Sequence, residues 1–179
     1  MLLYIGADHN GFALKEHLKT FLKESGYTVT DVRDATLDQN DDYPDIAAEV
    51  GRRVSREIET ARGIVICKSG VGVDVVTNKF PRIRTVLAMT PDQAFDARND
   101  DDVNVLALGA GYLDLQIAKK ILITWLETPF SNEPRFRRRI EKISRIEQYI
   151  LHTPYSEAEE ERKDDALGPH NSPSQGLRW

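Results

Sequence analysis

Apolar and polar positions along the 179 residues change period repeatedly, from the twofold rhythm of a strand to the 3.6-residue rhythm of a helix. Leu2-Leu3-Tyr4-Ile5 is a short apolar run ended by Gly6. Leu14, Leu18, Phe21 and Leu22 then recur at helical spacing until Gly26, which reads as strand, turn and helix. Tyr27 to Val32 alternates as a strand, and the polar loop from Arg33 to Asp42 leads to Pro44 in the first turn of a helix carried by Ile46, Val50 and Val54. Gly63 to Cys67 reads as a buried strand with a helix from Val71 to Lys79 behind it. The order repeats in Thr85 to Met89 with Pro91 to Asn99, and in Val105 to Leu108 with Leu113 to Glu127. A last, basic helix is expected over residues 134–150. Strands alternating with helices predict an α/β protein of three layers, α/β/α, around a five-stranded parallel sheet whose ligands gather at the carboxyl ends of the strands.

Composition narrows this picture. With 40% hydrophobic and 30% charged residues the chain suits one globular domain, assigned to residues 1–150. From Leu151 to Trp179 the sequence turns to Glu, Asp, Ser, Pro and Gly, too poor in apolar side chains to offset ordering entropy. A disordered acidic and polar tail is expected there, with His152, His170 and the run Glu157 to Glu161 solvated. A net charge of -5 disfavours general nucleic-acid binding, which needs a positive field. One cysteine cannot form an internal disulfide, and no Cys/His spacing matches a zinc site, so neither a structural metal nor an oxidising compartment is called for. No apolar stretch reaches the roughly 20 residues of a membrane span, so the expected setting is cytoplasmic, with no membrane partner.

Three segments carry candidate chemistry. After the first strand, Ala7-Asp8-His9-Asn10-Gly11 places a carboxylate and an imidazole at a strand's carboxyl end; the same residues could serve only as a helix cap and a local hydrogen bond. After the third, Cys67-Lys68-Ser69-Gly70-Val71-Gly72 offers backbone N–H groups and a helix terminus to an oxyanion, and both the terminus and Lys68 would favour a thiolate. A lone strand-end cysteine is equally a small buried hydrophobe. Val75 stands where a third glycine would complete a dinucleotide fingerprint, which disfavours nucleotide binding. Near the end, Arg135, Arg137, Arg138 and Arg139 share one helix, as a solvated face or as forked donors for phosphate.

Taken together, Gly6 to Gly11, Asp42-Tyr43-Pro44, Ile66 to Gly72, Asn78-Lys79-Phe80, Ile83-Arg84 and Asn104 to Gly109 resemble, in order and spacing, type B ribose-5-phosphate isomerases and the related galactose-6-phosphate isomerase subunits. The resemblance covers residues 1–150. It implies a Rossmann-like, flavodoxin-like sheet and a homodimer or dimer of dimers with sites between subunits. It also implies interconversion of a phosphorylated aldose and its ketose, led by ribose 5-phosphate and ribulose 5-phosphate, without metal or cofactor. By the same resemblance Cys67 takes the C2 proton, while Ser69 and the amides of Gly70, Val71 and Gly72 surround the enediolate. Asp8, His9 and Lys68 meet the sugar, and Arg135 and Arg139 of a neighbouring subunit bind phosphate. Where the resembling proteins carry a His-Asn pair this chain reads Asp100-Asp101. Asp100 could take acid or base work in ring opening and Asp101 a substrate contact, or Asn99 to Asp102 could form only a solvated acidic loop. Gly111 and Phe136 stand where arginine and histidine are usual. The competing readings are a sugar-phosphate-binding protein with weak or no turnover, and one subunit of a hetero-oligomeric galactose-6-phosphate-type isomerase.

Overall fold

The computed structural model describes residues 1–33 and 36–153. Along the chain run β1 (Leu2–Ala7), α1 (Phe12–Glu24), β2 (Thr28–Asp31), α2 (Tyr43–Arg56), β3 (Ala61–Cys67), α3 (Val71–Thr77), β4 (Thr85–Leu87), α4 (Pro91–Asp101), β5 (Val105–Gly109), α5 (Leu115–Glu127) and α6 (Pro134–His152). All strand pairs are parallel, in the order β2-β1-β3-β5-β4. The expected α/β/α layering and five-stranded parallel sheet are present. The order departs from the flavodoxin pattern of 2-1-3-4-5 at one edge, where β5 pairs with β3 and β4 is the outer strand.

The two faces follow from alternation along the strands. Leu3, Ile5, Ile64, Ile66, Leu106 and Leu108 point to one side, where Leu14, Leu18 and Leu22 of α1 and Ile121, Leu122 and Trp125 of α5 bury them. Tyr4, Val65, Cys67, Val105 and Ala107 point to the other, against Ala47, Val50 and Val54 of α2 and Val73 of α3. Helix starts match local chemistry. Thr90 accepts a hydrogen bond from Gln93 N–H at 3.2 Å, and Asp114 accepts one from Ile117 N–H at 2.8 Å, so α5 begins at Leu115 rather than Leu113.

The amino ends of the strands are tied together by arginine. Arg84 donates to the carbonyls of Asp101 and Asp102 and to the Asp102 carboxylate at 2.8 Å, and Arg98 donates to the other Asp102 oxygen at 2.7 Å. Arg62 donates to the carbonyls of Trp125 and Leu126 at the end of α5; burial, then the nearby Arg98, push its guanidinium down to about 10. Helix α6 crosses this end of the sheet and is joined to it by Arg82 N–H donating to Glu147 Oε1 at 2.7 Å. A cleft of about 740 Å³ lies there, lined among others by Arg62, Arg84, Arg98, Ile140 and Glu147. α6 extends two residues beyond the domain boundary expected at Ile150. The rest of the expected tail, with His170 and the acidic run, lies outside the described residues.

Candidate active site

At the carboxyl ends of β1 and β3 the two loops singled out in the sequence come together. Asp8 N–H donates to the Ile66 carbonyl at 3.2 Å, so the first loop is seated on the last turn of the third strand. Gly11 N–H donates to Asp8 Oδ1 at 2.9 Å, which fixes a carboxylate only 6% exposed. A Cβ at Gly11 would stand 2.8 Å from the Ile66 carbonyl oxygen, so only glycine lets the two backbones approach this closely.

Cys67 is the last residue of β3 and is 5% exposed. The chain turns at Gly70, which has φ 78°, and that left-handed turn carries the Gly70 N–H to 3.1 Å from Cys67 Sγ. An N–H donated to sulfur equips that sulfur to carry negative charge. Val71 N–H donates to Ser69 Oγ at 3.3 Å. Helix α3 has no side-chain cap, and among the described residues the first-turn amides of Gly72 and Val73 have no acceptor. Two free backbone donors beside a buried thiol form a preorganised site for a developing oxyanion. The Tyr43 ring lies against Gly72, and the exposed Lys68 follows the thiol.

His9 is oriented by a residue that the sequence reading missed. Asp41 Oδ1 accepts from the His9 backbone N–H at 3.0 Å and lies 2.8 Å from Nδ1. Its hydrogen bond to Asp41 is the main cause that raises the imidazole above its ordinary value. Partial burial opposes this, and the charges of Asp8 and Asp41 add to it. No motif announces Asp41. It sits in the polar loop 32 residues from its partner, beside Asp42, and only the fold brings it to β1.

The remaining expected residues do not join this cluster within one chain. Asp100 and Asp101 close α4, where Asn99 Nδ2 donates to Asp100 Oδ1 at 2.7 Å, and the Asp101 carbonyl is held by Arg84 just ahead of β4. They therefore lie at the amino ends of the strands. Ser131 donates to the Asn99 carbonyl through both N–H and Oγ, which brings the start of α6, with Arg135 and Arg139, to the same end. Since β5 has five residues, the two ends are about 16 Å apart along the strands. Phe136 is buried, and the guanidinium groups of Arg135 and Arg139 lie 4.3 and 5.5 Å from its ring centroid, so the phenyl ring serves as their stacking platform. Gly111 N–H donates to the Lys68 carbonyl at 2.8 Å, and a Cβ there would meet that same oxygen at 3.0 Å. Among the described residues no three His, Cys, Asp or Glu side chains converge to hold a metal ion, and no helix is long and apolar enough to cross a membrane.

Comparison with known proteins bears on the fold and the family. Ribose-5-phosphate isomerase B of Escherichia coli (strain K12) is 38% identical over 143 residues, covering 80% of this chain and 94% of that protein. D-erythrulose-4-phosphate isomerase of Pectobacterium atrosepticum is 32% identical over 148 residues, covering 83% and 96%. The crystal structure of ribose-5-phosphate isomerase B from Mycoplasma genitalium with bound ribulose-5-phosphate superposes with a TM-score of 0.79 at 35% identity, covering 82% of this chain and 96% of that one. The family described as Ribose/Galactose Isomerase matches residues 3–143, and the chain belongs to it.

Proposed function

We propose that this sugar-phosphate isomerase interconverts ribose 5-phosphate and ribulose 5-phosphate through an enediolate, with Cys67 as the base. The observation that carries the reading is the buried Cys67 Sγ, held by Gly70 N–H at 3.1 Å at the start of α3, where the amides of Gly72 and Val73 have no acceptor among the described residues. The thiolate takes the C2 proton from the open aldehyde, the loop amides and Ser69 hold the oxyanion that forms at O1 until the C2 hydroxyl proton passes to it, and the thiol, whose proton exchanges with solvent, delivers a proton to C1. Asp8, His9, Lys68 and Gly70 to Gly72 line the carboxyl end where the sugar would lie.

The phosphate end of the site is supplied by a second copy. Arg135, Arg139, Asp100 and Asp101 stand about 16 Å from Cys67 along the strands, yet two chains packed with opposed ends would bring one copy's amino-end residues to the other's thiol. An apolar flank of α6 supports such packing: Ile143, Ile146, Tyr149 and Ile150 recur at spacings of three and four and are exposed. A substrate of four carbons is a second reading, favoured by the relative named D-erythrulose-4-phosphate isomerase.

Purified protein assayed with ribose 5-phosphate, ribulose 5-phosphate and erythrose 4-phosphate decides between them. The expected result is kcat/KM for the pentose phosphates above that for the tetrose. The reverse ranking assigns the shorter substrate, and absence of turnover on all three refutes the isomerase reading.

A further inference from the structure

An aldopentose 5-phosphate rests as a cyclic hemiacetal, and its C2 proton becomes acidic only once the ring has opened to the aldehyde. Opening breaks the bond between C1 and the ring oxygen, delivers a proton to that oxygen and removes one from the anomeric hydroxyl. Asp100 stands at the opposite end of the sheet from Cys67, so it could reach that site only from a second copy, and its Oδ1 is already engaged by Asn99 Nδ2 at 2.7 Å. Of the described histidines, His17 and His152 are exposed and contact carbonyls of their own helices, those of Ala13 and Gln148. His9 alone stands at the carboxyl end.

Building on the isomerase reading, we propose that His9 is the ring-opening acid and that Asp41 is the positioning residue that keeps it charged and aimed. The Asp41 side chain is 6% exposed, and one of its oxygens accepts from both the backbone N–H and Nδ1 of His9, at 3.0 and 2.8 Å. That geometry places a proton on Nδ1 and fixes the ring plane, leaving Nε2 as the working nitrogen. Nε2 lies 2.7 Å from the exposed Asn10 carboxamide. A half-turn of that carboxamide presents nitrogen to a neutral imidazole or oxygen to an imidazolium, so both protonation states are satisfied by one small rotation.

Among the described residues the charged groups around the ring are Asp8 on its own loop, Asp41, and Arg33, which lies 3.9 Å from the far Asp41 oxygen. The two carboxylates close to the ring outweigh the more distant guanidinium and favour the imidazolium. In the step itself Nε2–H passes its proton to the ring oxygen as the C1–O bond breaks. The anomeric hydroxyl gives its proton to the Asp8 carboxylate, whose Oδ2 takes no hydrogen bond from the described residues. Because Asp41 raises the imidazole, this acid persists to higher pH than a free histidine and is lost as pH rises through the raised value.

Asp41→Asn keeps the shape and removes the charge; Asp41→Glu keeps the charge. Two readouts on the full chain test the pair. NMR titration is expected to show the His9 imidazole of wild type titrating above the ordinary 6.5 or so, falling in Asp41→Asn and recovering in Asp41→Glu. Kinetics compare ribose 5-phosphate, which cyclises, with erythrose 4-phosphate, whose phosphorylated O4 cannot close a five-membered ring. Asp41→Asn is expected to lower kcat/KM for ribose 5-phosphate at least roughly tenfold more than for erythrose 4-phosphate, and to move the alkaline limb of the ribose 5-phosphate profile to lower pH. Equal losses on the two substrates, or an unmoved limb, overturn the acid role. An ordinary titration in wild type overturns the Asp41 role. Turnover of neither substrate by wild type refutes the isomerase reading itself, and the titration then still reports whether the pair exists.

Discussion

Cys67→Ala is expected to lower kcat for ribose 5-phosphate isomerisation by about 10²–10⁴-fold, the range for loss of a positioned base, with KM little changed. The thiol meets the substrate only at the reacting carbon, so its removal withdraws stabilisation from the transition state and leaves the binding residues in place. Structure should survive the change. Cys67 ends β3 beside Val65 and Val73, and alanine removes one sulfur atom and one weak acceptor, while the turn is held by φ at Gly70 and by Ala110 N–H donating to the Cys67 carbonyl at 2.9 Å. Steady-state kinetics in both directions, alongside thermal unfolding, provide the check. A folded variant with undiminished kcat would move the base elsewhere.

The second large effect concerns the divided site. An Arg135→Ala/Arg139→Ala double variant is expected to lose pentose phosphate turnover at least a hundredfold, because two forked phosphate donors are gone and a dianion is left without partners. When this protein is unfolded and refolded together with Cys67→Ala in equal amounts, mixed dimers carry one site with both defects and one with none. Random pairing makes half of the dimers mixed, so about a quarter of wild-type activity should return. Recovery requires that Cys67 of one copy works with the arginines of another. If the mixture stays as inactive as its components, the amino-end arginines do not serve a neighbour's thiol.

Much of this was legible in the sequence because it is local. Gly63 to Cys67 of β3 is an uninterrupted apolar run, and the glycines behind it allow only a tight turn into a helix, so the anion loop could be placed without a structure. Asp8 and His9 follow the first strand in the same way. The β5–β4 order was not legible, since strands of three and five residues carry no information about which neighbour they join. Asp41 was hidden for a related reason: its partner is 32 residues away, and loop composition does not reveal a contact made across a fold. Phe136 is the converse case. Noted in the sequence only as a departure from the resembling proteins, it is buried beneath two guanidinium groups and orients them, which a spacing of one and three residues permits but does not announce.

The exposed apolar stretch of α6 bears on assembly, while the chemistry rests on one proton. Isomerisation in deuterium oxide, followed by NMR at C1 of the ketose and C2 of the aldose, measures that proton directly. A thiolate base passing through an enediolate predicts that solvent deuterium enters these carbons during turnover by wild type, and that exchange and turnover fall together in Cys67→Ala. Interconversion with no deuterium at either carbon, or exchange at the wild-type rate in Cys67→Ala, would contradict the account.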